Sequence, residues 1–183
     1  MENRKTHINP IVGDKITFLK TCKETYGQST LCELELVANG KGVPLHYHEV
    51  FTETFTVLEG ELTVEIDRQI KTLKVGDSAT IPIKSLHRFY NKTAMPVKAT
   101  VELKPGHQGF EDSLVIAYGL ARDGKCNKNS IPKDINHLAI LFDLGEGRLP
   151  GLMSIAMPIL KIIARKARKK GIEKELFDKY CMP

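Results

Sequence analysis

The feature that most constrains the fold is a series of short segments between residues 15 and 103 in which apolar and polar residues alternate. In Thr30–Ala38, for example, apolar side chains alternate with two glutamates. A period of two places the apolar side chains on one face of a strand. Turns with glycine or proline separate the segments at near-regular spacing, which is typical of a β-sandwich or β-barrel. The predicted strands are Lys15–Thr21, Thr30–Ala38, Pro44–His48, Glu53–Glu59, Glu61–Asp67, Ile70–Leu73, Ser78–Ile83, His87–Tyr90 and Val97–Leu103.

The hydrophobic period changes after Pro105-Gly106, where apolar residues begin to recur at steps of three and four. This spacing is typical of amphipathic helices. The sequence therefore predicts a β domain over residues 1–105 and a helical C-terminal extension over residues 106–183. The predicted helices are Phe110–Ala121, Asp134–Leu144, Gly151–Lys170 and Ile172–Tyr180.

The net positive charge of the chain comes from its C-terminal part. The 183 residues carry a net charge of +5, and residues 149–183 contain eight Lys/Arg against three Asp/Glu. Residues 1–148 are electrically balanced, which argues against a nucleic-acid-binding core, so we expect no nucleic-acid partner. No apolar run approaches the roughly 20 residues of a membrane span, and no secretory leader is visible, so we expect a cytoplasmic protein.

Three histidines and one glutamate stand at spacings that suit a metal site. His46 and His48 leave the same face of an extended segment because side chains i and i+2 point the same way. Glu53 follows after a short bend, and His87 stands 41 residues after His46. Three imidazoles and one carboxylate suit a divalent first-row transition metal, and the candidates are Fe, Mn, Ni and Zn.

These residues lie in two motifs that resemble those of the cupin superfamily. The first motif, G-x5-H-x-H-x4-E-x6-G, is matched at every position, and the second, G-x5-P-x-G-x2-H-x3-N, at four of five. Lys84 stands where the family usually has glycine, and it is not a ligand position. The motif residues are Gly40, His46, His48, Glu53 and Gly60 in the first motif and Gly76, Pro82, Lys84, His87 and Asn91 in the second.

The resemblance implies a mainly β fold, a jelly-roll (cupin) β-barrel with a C-terminal α-helical extension, and motifs over residues 40–91. It also implies a metal ion inside the barrel, bound by His46, His48, Glu53 and His87, and a homodimer. The extension is similar to that of a group of single-domain bacterial cupins of the conserved-barrel type.

Two functions fit this reading. The first is a metal-binding cupin that acts on or binds a small organic molecule, with dioxygenase or isomerase chemistry as the enzymatic options. The second is a non-catalytic small-molecule binding or sensor module. The fold does not select a reaction, and the sequence identifies no catalytic residue, so whether the protein is an enzyme is left open.

The basic tail has two interpretations. Residues at steps of three and four form an apolar stripe, with basic residues on the other side of the helix. The stripe predicts a helix packed on the barrel with a solvated basic face; the alternative is an interfacial helix that contacts anionic lipid, through residues 152–170, or an acidic partner. The stripe consists of Leu152, Ile155, Ala156, Ile159, Leu160, Ile163 and Ala167, and the basic side of Lys161, Arg165, Arg168 and Lys169.

Overall fold

The computed structural model describes residues 4–182, which fall into two compact units. The first unit contains the residues up to Ile8 together with Gly13–Gln108, and the second contains Asn9–Val12 and the chain from Gly109 onward. Within residues 4–182, no helix combines the length and the apolar character needed to cross a membrane.

The first unit consists of two antiparallel sheets, as the alternation predicts. The six-stranded sheet has the order β1-β2-β3-β9-β4-β7, and the three-stranded sheet has the order β6-β5-β8. The strands are β1 (Thr6–Ile8), β2 (Lys15–Lys20), β3 (Thr30–Leu36), β4 (Thr52–Glu59), β5 (Leu62–Ile66), β6 (Gln69–Leu73), β7 (Ser78–Ile81), β8 (His87–Tyr90) and β9 (Val97–Lys104).

The alternating sequence explains which side chains fill the core. Along β3 and β9, buried and half-buried residues alternate, so each strand directs one face inward. Phe55, Leu62 and Leu103 are buried on three different strands. The predicted antiparallel β fold is thus confirmed, while the ladders of the described residues form two separate sheets that do not close into one ring. Barrel closure remains an implication of the family.

Two local predictions differ from the structure. Strand β1 lies in the lead-in that carried no strand pattern, and it pairs with β2. Residues 44–48 form no strand; His46 makes only an isolated bridge to His87. Pro44 has no N–H to donate, and Gly42 at φ +60 bends the chain before it, so a continuous ladder does not form there.

The C-terminal segment is helical, as predicted. Asp134 caps its helix by accepting a hydrogen bond from the Asn136 N–H. The predicted helix Gly151–Lys170 begins as one 3₁₀ turn, and Pro158 stands in the first turn of the α-helix, where its missing N–H costs no helical bond. The helices are α1 (Gln108–Arg122), α2 (Ile135–Leu144), a 3₁₀ helix (Gly151–Ile155), α3 (Ala156–Lys169) and α4 (Ile172–Tyr180).

The apolar stripe assigned to α3 is wrong in its N-terminal half. Helix α3 packs through Leu160, Ala164 and Ala167, which are buried, and Ala139 of α2 joins the same cluster as Leu160 and Ala164. The predicted stripe contained Leu160 and Ala167 of this packed face and missed Ala164. The residues of the predicted stripe that are exposed instead are Leu152, Ile155, Ala156 and Ile159.

Candidate metal site

The backbone joins the two motifs that carry the candidate ligands. The His46 N–H donates to the His87 carbonyl at 2.9 Å, and the His87 N–H donates back to the His46 carbonyl at 2.8 Å. The Lys84 N–H donates to the His48 carbonyl at 2.7 Å. Three main-chain hydrogen bonds therefore fix the segment of His46 and His48 beside the segment of His87.

The structure brings all four predicted ligands together. His46, His48, Glu53 and His87 each offer one ligand atom, and these atoms all lie within 4.8 Å of one another. His46 Nε2 lies 3.1 Å from His48 Nε2, and His87 Nε2 lies 2.9 Å from Glu53 Oε2. Glu53 belongs to the six-stranded sheet and His87 to the three-stranded sheet, so the cluster lies between the two sheets.

Several of the separations are close to those of atoms around one metal ion, while the full spread of 4.8 Å is wider, so the side chains would move inward when an ion binds. Bonds of about 2.0–2.2 Å to nitrogen and oxygen place adjacent octahedral ligand atoms about 3 Å apart and opposite ones about 4 Å apart. The distance of 3.9 Å between His48 Nε2 and Glu53 Oε2 agrees with this spacing. His48, Glu53 and His87 are buried and His46 is half-buried, so the donors are held in place and one side stays reachable.

Backbone carbonyls set the orientation of two imidazoles. His46 Nδ1–H donates to the Pro44 carbonyl at 2.8 Å, and His87 Nδ1–H donates to the Ser85 carbonyl at 2.9 Å. With a proton on Nδ1, the neutral ring presents the lone pair of Nε2 to the cluster. Such carbonyl partners are typical of histidines that bind metals.

The electrostatics favour the protonation states that a metal ion needs for two of these groups, His46 and Glu53. Burial, together with the charge of His87, lowers the pKa of His46 to about 4, which keeps this ring neutral. Burial would raise the pKa of Glu53, but its hydrogen bond with His87 and the imidazole charges outweigh burial and lower it. Burial acts to lower the pKa of His87, yet the Glu53 carboxylate raises it, so a metal ion that binds here would displace a proton from this ring.

The ring of Phe51 lies against the cluster. The Phe51 ring lies 4.4 Å from the His48 ring and 5.4 Å from the His107 ring, measured between centroids. Phe55 and Phe89 follow Glu53 and His87 by two residues on their strands, and their rings meet at 4.9 Å across the two sheets. No signal in the sequence pointed to Phe51, because this residue lies outside any alternating pattern.

Two other residues of the second motif, Lys84 and Asn91, stabilise the backbone conformation near the cluster. Lys84 has φ +68, so the turn keeps the left-handed conformation that glycine usually supplies in the family, and its side chain is exposed. Asn91 is buried, and its amide donates to the carbonyls of Val37 and Met95. Both residues hold loops beside the cluster rather than contributing a ligand atom.

The fold and the site define an antiparallel β domain with a buried cluster of three histidines and one glutamate between its sheets. The family profile described as "Cupin domain" matches residues 33–108, which contain all four of these residues. This part of the chain, less than half of its length, is therefore similar to a cupin domain. It also carries the helical C-terminal part expected from the sequence.

Two curated relatives match part of the chain. Quercetin 2,3-dioxygenase of Bacillus subtilis is 34% identical over 80 residues, which are 43% of this chain and 23% of the enzyme. An uncharacterized protein of Aquifex aeolicus is 35% identical over 69 residues, which are 38% of this chain and 55% of that protein. The chain thus spans about a quarter and about half of the lengths of these relatives.

Solved structures resemble the fold. An RmlC-like cupin from Shewanella frigidimarina superposes with a TM-score of 0.51 at 21% identity, over 60% of this chain and 90% of its own. A predicted oxalate decarboxylase from Thermotoga maritima has a TM-score of 0.50 at 16% identity, over 56% and 91% of the two chains. At these identities the likeness establishes the cupin fold alone.

Proposed function

We propose that His46, His48, Glu53 and His87 hold one divalent transition metal ion, to which a small organic molecule with oxygen donors binds. The observation that carries this proposal is the cluster itself: four ligand atoms within 4.8 Å of one another, three of them on buried residues. Four protein ligands leave two positions of an octahedral ion for a substrate or dioxygen.

Each part of the site has a role in this proposal. When bound, the ion supplies Lewis-acid or oxygen-activating chemistry. The chain keeps the His46 ring neutral by burial, directs Nε2 of His46 and His87 inward through the carbonyls of Pro44 and Ser85, and covers His48 with the Phe51 ring. The ring of Phe51 limits the access of water to that side of the site.

The proposed reaction class is that of a dioxygenase or an isomerase. The match of 80 residues to a quercetin dioxygenase supports oxygen chemistry, although most of that enzyme lies outside the match. We also propose that the two sheets close into the jelly-roll of the family, that the protein forms a homodimer and that it acts in the cytoplasm.

The first test is the metal content of the untagged protein, measured by plasma mass spectrometry. We expect about one equivalent of a transition metal per chain, lost in a His46→Ala/His48→Ala variant and kept in a His7→Ala control, whose histidine lies outside the cluster. Less than about a tenth of an equivalent, with no uptake of added Fe²⁺, Mn²⁺, Ni²⁺ or Zn²⁺ under anaerobic conditions, would contradict the proposal.

A second measurement separates an enzyme from a binding module. Oxygen uptake by the ferrous protein is recorded with diketones, thiols and catechols, and ligand affinity is measured by calorimetry on the same samples. Substrate-dependent uptake that the His46→Ala/His48→Ala variant lacks would support a dioxygenase. Metal-dependent binding of a panel member, with neither oxygen uptake nor isomerised product, would assign the site to a non-catalytic binding or sensor module and overturn the proposed reaction class.

A further inference from the structure

Large apolar side chains are exposed along one face of α3 and the 3₁₀ turn before it. Leu152 is 87% exposed, Ile159 57% and Ile162 51%, and Met153 and Ile155 are exposed as well. Ile155, Ile159 and Ile162 follow at steps of four and three, so they form one outward row opposite the buried Leu160, Ala164 and Ala167. Contiguous exposed apolar surface of this kind marks an interaction site. We call Leu152, Met153, Ile155, Ile159 and Ile162 the exposed row.

The exposed row lies beside unpaired positive charge. The sequence has no acidic residue between Glu146 and Glu173, a stretch that contains both the row and a basic cluster. Within residues 4–182, no carboxylate pairs with any member of this cluster, whereas Arg168 contacts Asp143 at 2.5 Å and Glu173 at 2.6 Å. The basic cluster consists of the exposed residues Lys161, Arg165, Lys166, Lys169 and Lys170.

The basic cluster indicates which kind of partner would cover the exposed row. A second copy of this face would bring two basic clusters together in a symmetric contact, which like-charge repulsion disfavours. A nucleic acid would attract the lysines but would find isoleucines where single strands require aromatic rings for stacking. An anionic lipid surface satisfies both features, because its headgroups attract Lys and Arg and its acyl chains accept Leu, Met and Ile.

We propose that the 3₁₀ turn and α3 form an interfacial anchor that docks the protein on anionic phospholipid membranes. The exposed row enters the boundary between headgroups and acyl chains, with the helix axis parallel to the surface. The lysine stems extend along the apolar boundary and place their ammonium groups among the phosphates. This inference is independent of the metal site, since none of its residues belongs to the cupin domain.

The test is flotation of the full chain with vesicles. We use phosphatidylcholine vesicles with and without about 30% phosphatidylglycerol, at low salt and at about 0.5 M salt. The expected result is binding to the anionic vesicles only, with release at high salt. The Ile159→Ser/Ile162→Ser and Lys166→Gln/Lys169→Gln variants should each reduce the partition coefficient about tenfold or more.

The matched control is Ile70→Ser/Lys71→Gln, which makes the same exchanges at an isoleucine 56% exposed and at an exposed lysine of β6. It should bind as the parent does. Circular dichroism and metal content of every variant verify the fold and the metal site separately.

Three results would overturn the inference: equal binding to both vesicle types, binding that either pair of α3 substitutions leaves unchanged, or no binding at all. In the last case, sedimentation velocity showing a dimer that Ile159→Ser/Ile162→Ser dissociates would assign the exposed row to a second copy instead.

Discussion

Gly42 is the residue at which the first unit leaves least room for a side chain. Its φ is +60, and a Cβ there would lie 1.8 Å from the Phe89 carbonyl oxygen, on the strand that begins with His87. Gly76 has a similar φ of +88 but nothing within 4 Å of the position of a Cβ. A side chain at Gly76 would therefore cost only the unfavourable backbone conformation, whereas a side chain at Gly42 would also clash with neighbouring atoms.

Gly42→Ala is therefore expected to destabilise the fold more than Gly76→Ala. Both variants place alanine in the left-handed region, at a cost of about 1 kcal/mol, and Gly42→Ala adds the displacement of the Phe89 backbone, for a total of about 3 kcal/mol. Urea unfolding of both variants measures the difference. Equal losses of unfolding free energy would show that the loop of Gly42 moves away from β8 at little cost.

Asp14 gives a prediction about pH. Its side chain is buried, its Oδ1 has no hydrogen-bond partner within the described residues, and burial raises its pKa to about 6, against the opposing hydrogen bond from the Val37 N–H. Between about pH 4 and 6 the folded state therefore keeps a proton that the unfolded state releases. This contribution lowers stability as the pH rises through that window and stays constant above it.

Asp14→Asn removes this titration. The unfolding free energy of the variant, relative to that of the parent, should rise by about 1–2 kcal/mol from pH 4 to pH 7. Urea unfolding at several pH values measures this difference. A difference that does not change with pH would mean that the carboxylate is solvated in the folded protein.

At the scale of single residues, the sequence predicted the candidate metal ligands better than the residues that surround them. The residue types and fixed spacings of His46, His48, Glu53 and His87 were enough to select a candidate site. Asp14 and Phe51 gave no signal, because their burial and ring contacts depend on parts of the chain that the fold, not local spacing, brings beside them.

Helix packing in the second unit depends on a glycine inside α1. A Cβ on Gly119 would lie 2.3 Å from Cδ1 of Tyr180, so the absent side chain lets the ring of α4 lie against α1. The Tyr180 hydroxyl donates to Asp123 at 2.8 Å, which fixes the ring in that position. The contact joins the first and last helices of the unit.

Gly119→Ala is expected to destabilise the second unit by about 1–3 kcal/mol, although alanine is favoured over glycine in a helix by about 1 kcal/mol. The steric effect should exceed the gain in propensity because the ring cannot move without breaking its hydrogen bond. Thermal unfolding is measured in the parent and in a Tyr180→Leu background, in which the cost should shrink. A stabilised Gly119→Ala protein with Tyr180 intact would show that propensity prevails.

At the scale of elements, the hydrophobic period located the strands and helices well but chose the wrong face for part of α3. A period states which residues share a side of a helix; it does not state which side is covered. Ala164 and Ala167 are buried in the packed face, whereas Ile159 and Ile162 are exposed.

For the whole molecule, the sequence indicated the change from strands to helices near residue 105. The hydrophobic period did not indicate which distant segments of the chain come together. The short segment Asn9–Val12 belongs to the second unit although it lies between β1 and β2. The order of strands within each sheet likewise comes from long-range pairing, such as that of β4 with β9, which local patterns do not specify.

His46 and His87 are joined by two main-chain hydrogen bonds, and this pairing has an evolutionary consequence. Main-chain atoms are common to nearly all amino acids, so the spacing of these two positions survives exchanges among the residues around them. Substitutions at neighbouring side chains would therefore leave the backbone spacing of the two histidines in place.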